Sequence, residues 1–402
     1  MANHEPSARL SALPRYLFAE LERKRAEAEA AGREVTDLSI GDPDLPTPRP
    51  ILDKMAEAAS DPANHRYPSS AGLLAARAQI AEWFATRYGV TLDPKREVAI
   101  LIGSKEGIGH LPLALVNPGD EVLLPDPGYP VYAAGTSFAG ATPVRFALRE
   151  DRGFIPEIAA LDRLATPRTR AVWVNYPNNP TGAVAPLRFY EELTAWAAKR
   201  GLTIASDAAY SELYYDDPPP SVLQIPAARE RAIEFHSFSK TFNMTGWRLG
   251  FAVGAPHLID ALVRLKANLD SGAPQAIQIA AAWGLSALLP THGPALRGVY
   301  RERRDVALDG LKRLHCPIRT PGGAFYLWGR VPDGSTAMDF VSRVFDGTGV
   351  LLTPGTGFGA EGEGFFRIAL TAPVASLERA VRALESLAPW KAPHASAPSY
   401  SR

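Results

Sequence analysis

The stretch "EFHSFSKTFNMTGWRLGFAVG", Glu234 to Gly254, decides how the chain is read. It holds most of one apolar run, "AIEFHS" (232–237), and all of another, "LGFAVG" (249–254). Both read as strands, and between them stand Lys240 and Arg248 among hydroxyls and aromatics. A lysine in a dry setting with a second cation close by has a depressed pKa and becomes nucleophilic toward a carbonyl. Arg248 would supply that second charge and a grip for a phosphate. Taken alone, the pair is explained as well by a snorkelling lysine and a structural arginine.

Working outward, five more strands precede this stretch: "VAILIG" (98–103), "EVLLP" (121–125), "PVRFAL" (143–148), "AVWVNY" (171–176) and "LTIASD" (202–207). Several are apolar on both faces, as strands covered on both sides must be. Their alternation with helical patterns predicts a three-layer α/β fold, a mostly parallel sheet with helices on both faces. Beyond residue 256 the pattern changes to long helices at 256–270, 274–288 and 293–314. A smaller α+β unit follows, with strands near "AFYLWG", "VLLTPG" and "FFRIAL" and a last helix at 375–387. The expected division is an N-terminal arm and helix (1–45), a large domain (46–290), a small C-terminal domain (291–388) and a flexible tail (389–402).

Composition narrows the function classes. Lys+Arg and Asp+Glu both number 43, so no global field recruits nucleic acid or an anionic membrane. No stretch approaches the ~20 apolar residues of a membrane helix, and the N-terminus lacks the apolar core of a signal peptide. The single cysteine, Cys316, cannot form an internal disulfide, which predicts a reducing, cytoplasmic setting. The eight histidines show no paired ligand spacing, so no metal is expected.

In a parallel sheet, ligands bind at the carboxyl ends of the strands. "GSKEG" (103–107) leaves a strand and opens a helix, where Ser104 and backbone N–H groups can hold an anion; an ordinary capped turn explains it equally well alone. "NYPNNPTG" (175–182) is a rigid turn presenting asparagine amides, and by itself no more than a turn. "SDAAY" (206–210) ends a strand on Asp207, either a buried carboxylate in need of a cation or a helix cap. The set carries more than its members. Asn175, Asp207 and Lys240 are spaced by 32 and 33 residues, about one βαβ unit each, which brings them to one edge of the sheet. An anion site, an arginine, a carboxylate and a nucleophilic lysine match pyridoxal 5′-phosphate, with its phosphate, ring nitrogen and aldehyde.

With "DPGYP", "NYPNNPTG", "SDAAY", "SFSKTFNMTGWRLG" and "FFRIAL" in this order, the chain resembles the fold-type I, class I/II pyridoxal-phosphate aminotransferases. "LSIGDPDLPTP" and "LIGSKEGIGHLPLALVNPGDEVLLPDPGYPVY" are similar to the LL-diaminopimelate aminotransferase branch. The resemblance implies amino transfer between LL-2,6-diaminopimelate and 2-oxoglutarate in lysine biosynthesis; aspartate or succinyl-diaminopimelate aminotransfer is the alternative. It implies Lys240 as the Schiff-base lysine and proton shuttle, and Asp207 as partner of the ring nitrogen. Tyr210 and Asn179 would bond the ring oxygen, and Tyr129 would stack on the ring. Ser104, Lys105, Ser237, Ser239 and Arg248 would surround the phosphate. Tyr67 would reach the phosphate of a second subunit, so a homodimer with shared sites is implied. Arg367 would bind the substrate α-carboxylate, with Tyr16, Gly41 and Asn179 on the substrate side. One departure stands out: plant-type members carry an asparagine where "NLDSGAPQ" (268–275) has Ser271 or Gly272. A C–S lyase on the same scaffold would keep the lysine, aspartate and arginine. A regulatory module would need an N-terminal DNA-binding domain, and no basic recognition helix precedes the sheet.

Overall fold

The computed structural model describes residues 6–11, 17–332 and 334–387; Tyr16 and the tail 389–402 lie outside them. In chain order the strands are β1 (Thr36–Asp37), β2 (Val98–Leu101), β3 (Glu121–Asp126), β4 (Thr142–Ala147), β5 (Thr169–Asn175), β6 (Thr203–Asp207), β7 (Ala232–Ser237), β8 (Gly250–Gly254), β9 (Tyr326–Arg330), β10 (Val350–Leu351), β11 (Thr353–Pro354) and β12 (Phe365–Ala369). Seven of them form the large sheet in the order β2-β8-β7-β6-β5-β3-β4. β3, β7 and β8 are buried along their whole length, so their apolar residues do not alternate with exposed ones, and Glu234 and His236 in β7 are buried as a hydrogen-bonded pair.

One strand breaks the parallel rule. β8 runs antiparallel to both β7 and β2, while β4, β3, β5, β6 and β7 pair in parallel. An antiparallel strand starts at the edge where its neighbours end. The segment 238–249, between β7 and β8, therefore stays at the carboxyl edge of the sheet, and so does the turn after β2. In this way Lys240 and Arg248, near opposite ends of one connection, reach the same edge as Gly103 and Ser104.

Apolar side chains pack on both faces of this sheet. On one face Leu123, Val172, Ile204 and Phe251 meet Ile80, Phe84 and Leu193 from the helices Leu74–Tyr88 and Leu187–Arg200. On the other, Ile108 and Leu111 of the helix Ser104–Leu115 and Leu258 and Leu262 of the helix Pro256–Leu269 cover Leu101, Leu124 and Phe235.

The long helix Leu289–Arg313 leads to a three-stranded antiparallel sheet, β11-β12-β9, covered by the helices Ala337–Thr348 and Val374–Glu385. The N-terminal segment is part of this unit: β1 pairs in parallel with β10, and Leu38 is buried in the same core. That pairing places residues 38–42 between the large sheet and the small one, where the candidate site opens. Among the described residues no helix is long and apolar enough to cross a membrane.

Candidate active site

A cavity of about 540 Å³ opens at the carboxyl edge of the large sheet. Every site residue expected from the sequence lines it except two. Tyr67 points away, 86 % exposed on the surface, and Tyr16 lies outside the described residues.

The base of the cavity is set by register. Asn175 at the end of β5 pairs with Asp207 at the end of β6, and its Nδ2 donates to the Asp207 carbonyl at 2.7 Å. Asn175 Oδ1 accepts from the Asn179 backbone N–H at 2.8 Å, which folds the "NYPNNPTG" turn back over the sheet edge. Asp207 is 5 % exposed. Its Oδ1 accepts from the Ala209 N–H at 3.1 Å, and its Oδ2 from the Tyr132 hydroxyl at 2.7 Å. Asp207 faces the cavity as a buried carboxylate, and the helix-cap reading does not hold, because the Ala209 bond closes a turn and no helix follows β6 directly. Burial pushes its pKa up, against the opposing pull of Tyr132 and the Ala209 N–H. Among the described residues no cation lies within ion-pairing distance of this carboxylate. A buried anion met only by neutral donors suits a ligand that brings the positive charge.

Lys240 sits on the short helix Phe238–Thr241 directly after β7. Its Nζ donates to the Gly41 carbonyl at 2.8 Å and lies 5.3 Å from the centre of the Phe325 ring. Burial lowers its pKa to about 8; Asp42 and Asp207 pull it up, while Arg367 and Arg248 push it further down. The dry pocket and second cation inferred from the sequence are both present, with burial the larger cause. Gly41 leaves room for the Tyr326 hydroxyl, with which a Cβ there would collide.

The opposite end gathers donors for an anion. Ser104 and Lys105 begin the helix Ser104–Leu115, whose first-turn N–H groups have no partner within the helix. Ser237, Ser239 and Arg248 face the same space. Gly103 has φ +74°, and a Cβ on it would meet the Arg248 guanidinium, so only glycine lets that side chain lie along the turn. Arg248 itself adopts φ +52°, held by its own Nη1 donating to the Thr245 carbonyl at 2.8 Å. A non-glycine residue in that conformation marks a position the surroundings impose.

Arg367 in β12 closes the site from the small sheet. It is 1 % exposed and lies over the rings of Tyr326 (4.3 Å) and Phe358 (4.7 Å). Its Nη1 donates to Asn179 Oδ1 at 2.9 Å, and its Nη2 to the Ser39 carbonyl. Two further residues were not foreseen from the sequence. Tyr326 lines the cavity and shares a 2.8 Å hydrogen bond with Tyr210, and Tyr132 braces Asp207. Tyr132 stands three residues after Tyr129, in the first turn of the helix Val131–Phe138, and its ring meets that of Tyr129 edge-on at 5.8 Å.

The carboxyl edge of a doubly covered α/β sheet thus brings a buried carboxylate, a lysine of lowered pKa, a helix N-terminus and a buried arginine into one cavity. The sequence profile of the family described as aminotransferase class I and II matches residues 33–384, and the chain belongs to that family. A curated relative from Aquifex aeolicus named LL-diaminopimelate aminotransferase is 48 % identical over 386 residues, covering 95 % of this chain and 99 % of its own. Among solved structures, substrate-bound BacF from Bacillus subtilis superposes with a TM-score of 0.91 at 34 % identity, covering 95 % of this chain and 97 % of that one. A mutant of Thermus thermophilus aspartate aminotransferase gives the same TM-score, 0.91, at 28 % identity over 96 % of this chain and all of its own.

Proposed function

We propose that the protein transfers amino groups between LL-2,6-diaminopimelate and 2-oxoglutarate, with pyridoxal 5′-phosphate as cofactor, as a homodimer with shared sites. One observation carries the chemistry: Lys240, with its pKa lowered to about 8, shares a cavity with the buried carboxylate of Asp207 and the guanidinium of Arg367. The near full-length likeness to LL-diaminopimelate aminotransferases supports the substrate.

When bound, the cofactor supplies an electron sink for negative charge at the substrate α-carbon. The chain supplies the rest. Lys240 would hold the cofactor through its amine, and the same amine would hold and move a proton at the substrate α-carbon. Asp207 would be the carboxylate partner of the ring nitrogen and would favour its protonated form. Tyr210 and Asn179 would orient the ring, with Tyr129 as its stacking partner, and Ser104, Lys105, Ser237, Ser239 and Arg248 would hold the phosphate. Arg367 takes the substrate α-carboxylate, already fixed by Asn179, Ser39 and two aromatic rings, so little side-chain entropy is lost on binding. Gly41 offers its backbone on the substrate side, and Tyr67 serves the phosphate of the partner subunit. The buried lone thiol of Cys316 fits a reducing cytoplasm.

The test is a set of half-reactions on the cofactor-loaded protein, followed by loss of the bound cofactor's visible absorption. LL-diaminopimelate and glutamate each discharge it, and aspartate does so more slowly. If aspartate reacts fastest and LL-diaminopimelate leaves the spectrum unchanged, the diaminopimelate reading fails and a general amino-acid aminotransferase replaces it.

A further inference from the structure

Lys266, in the last turn of the helix Pro256–Leu269, has a side chain with no exposure at all. A buried ammonium persists only where carboxylates and hydrogen bonds compensate for lost hydration. Here Nζ donates to Glu106 Oε2 at 2.7 Å and to Asp270 Oδ2 at 3.1 Å. No step assigned to the site uses this charge.

The two carboxylates lead in different directions. Glu106 is the third residue of the helix Ser104–Leu115. Its Oε2 also accepts the Ile102 backbone N–H at 3.0 Å, and its Oε1 pairs with His110 Nδ1 at 2.8 Å. Glu106 therefore staples the turn joining β2 to the helix whose start carries Ser104 and Lys105. Asp270 Oδ1 accepts the Gly272 N–H at 2.8 Å and shapes the loop 270–275. That loop packs on the turn carrying Tyr67. A Cβ on Gly272 would approach Pro68 Cγ to 3.0 Å, and Gln275 Nε2 donates to the Arg66 carbonyl at 2.8 Å.

Glu106, His110 and Asp270 also bring ligand-type atoms within 4.8 Å of one another. The Lys266 ammonium already bonds two of those three side chains, so the positive charge of the cluster belongs to the protein.

We propose that Lys266 is a positioning residue that couples cofactor retention to subunit assembly: through Glu106 it sets the phosphate-facing helix start, and through Asp270 it holds the Tyr67 turn. The proposal rests on the aminotransferase reading, in which Ser104 faces the phosphate of its own site and Tyr67 that of the partner.

The test uses full-length protein loaded with pyridoxal 5′-phosphate. Two rates are read: release of cofactor after dilution, by loss of visible absorption, and subunit exchange, by mass spectrometry of differently tagged chains. Lys266→Met releases cofactor and exchanges subunits about tenfold faster than wild type, while turnover per loaded site stays within about twofold. Lys266→Arg recovers most of both rates, because it keeps the charge. Glu106→Gln mainly accelerates cofactor release, and Asp270→Asn mainly accelerates exchange.

A Lys266→Met protein that melts earlier but keeps both rates within about twofold of wild type overturns the proposal, since that is a structural role only. If Lys266→Met does not fold, unchanged rates in both Glu106→Gln and Asp270→Asn overturn it equally. Failure of the wild type itself to hold the cofactor sinks the aminotransferase reading, and this inference falls with it.

Discussion

The hydroxyl of Tyr132 donates to Asp207 Oδ2 across 2.7 Å, inside a core where Tyr132 is 1 % exposed and stacks on Trp173 at 4.9 Å. Burial raises the pKa of Asp207 and the Tyr132 bond opposes that rise. Tyr132→Phe removes the opposing bond without opening a cavity. The Asp207 pKa then climbs further, and the carboxylate is lost on acidification at a higher pH than in wild type. The acid limb of the kcat/KM profile moves toward neutral pH, and turnover falls by about tenfold. A pH profile that keeps its position shows that Tyr132 does not tune Asp207.

Lys240 has a measurable cost to the empty protein. Its pKa is lowered to about 8 from an ordinary 10.5, mainly by burial. A depressed lysine pKa penalises the folded state fully below the folded value, and the penalty fades as pH rises toward the unfolded value. Lys240→Met without cofactor is therefore more stable than wild type at pH 7, by about 2 kcal/mol after allowance for solvent at the cavity mouth. The advantage shrinks by pH 10. Denaturant unfolding of the two apoproteins at both pH values checks the sign. The same variant has no amine for the cofactor, so borohydride reduction leaves no label on the chain.

How far this site could be read in advance depended on where each signal resides. Strands such as "AVWV" and "GFAVG" are buried on both faces, so burial alone writes an uninterrupted apolar run. The seven strands of the large sheet lie within a residue or two of the ends their sequences predict. Direction is another matter. Nothing local to "GFAVG" distinguishes an antiparallel β8 from a parallel one, because its hydrogen-bond partners lie in β2 and β7. The two-residue β1 escaped notice for the same reason, since its pairing with β10 spans most of the chain. Cavity residues within contiguous motifs were legible. Tyr326 was not, because its role comes from packing against Tyr210, Gly41 and Arg367 across the two sheets. Lys266 was not legible either, because its partner Glu106 lies 160 residues earlier in the chain.

Arg367 is clamped before any substrate arrives, between two rings and bonded to Asn179 and Ser39. Arg367→Lys keeps the charge but loses the planar fork that meets a carboxylate with two parallel bonds. The KM for amino-acid substrates rises by about a hundredfold, with a smaller change in kcat. Amines lacking the α-carboxylate lose nothing by the change. Steady-state kinetics with an amino acid and its decarboxylated analogue separates the two effects. An equal loss on both substrates would show that Arg367 acts on the cavity as a whole.

Among the described residues Tyr67 is the most exposed of the large apolar and aromatic side chains, at 86 %, and it does not line the cavity of its own chain. An exposed aromatic on an ordered turn is a natural interface contact. The loop 270–275 beneath that turn is held by Asp270 and Gln275, so the tyrosine stands on a supported surface. If it completes the phosphate site of a second subunit, a protein carrying Tyr67→Ala and another carrying Lys240→Ala are each impaired for a different reason. In a mixed dimer, one cavity pairs an intact Lys240 with an intact Tyr67 from the other chain, and the second cavity lacks both. Activity returns on mixing, to at most about half the wild-type value per dimer, at the rate at which subunits exchange. Subunit exchange measured independently, with no recovered activity, would show that each cavity is complete within one chain.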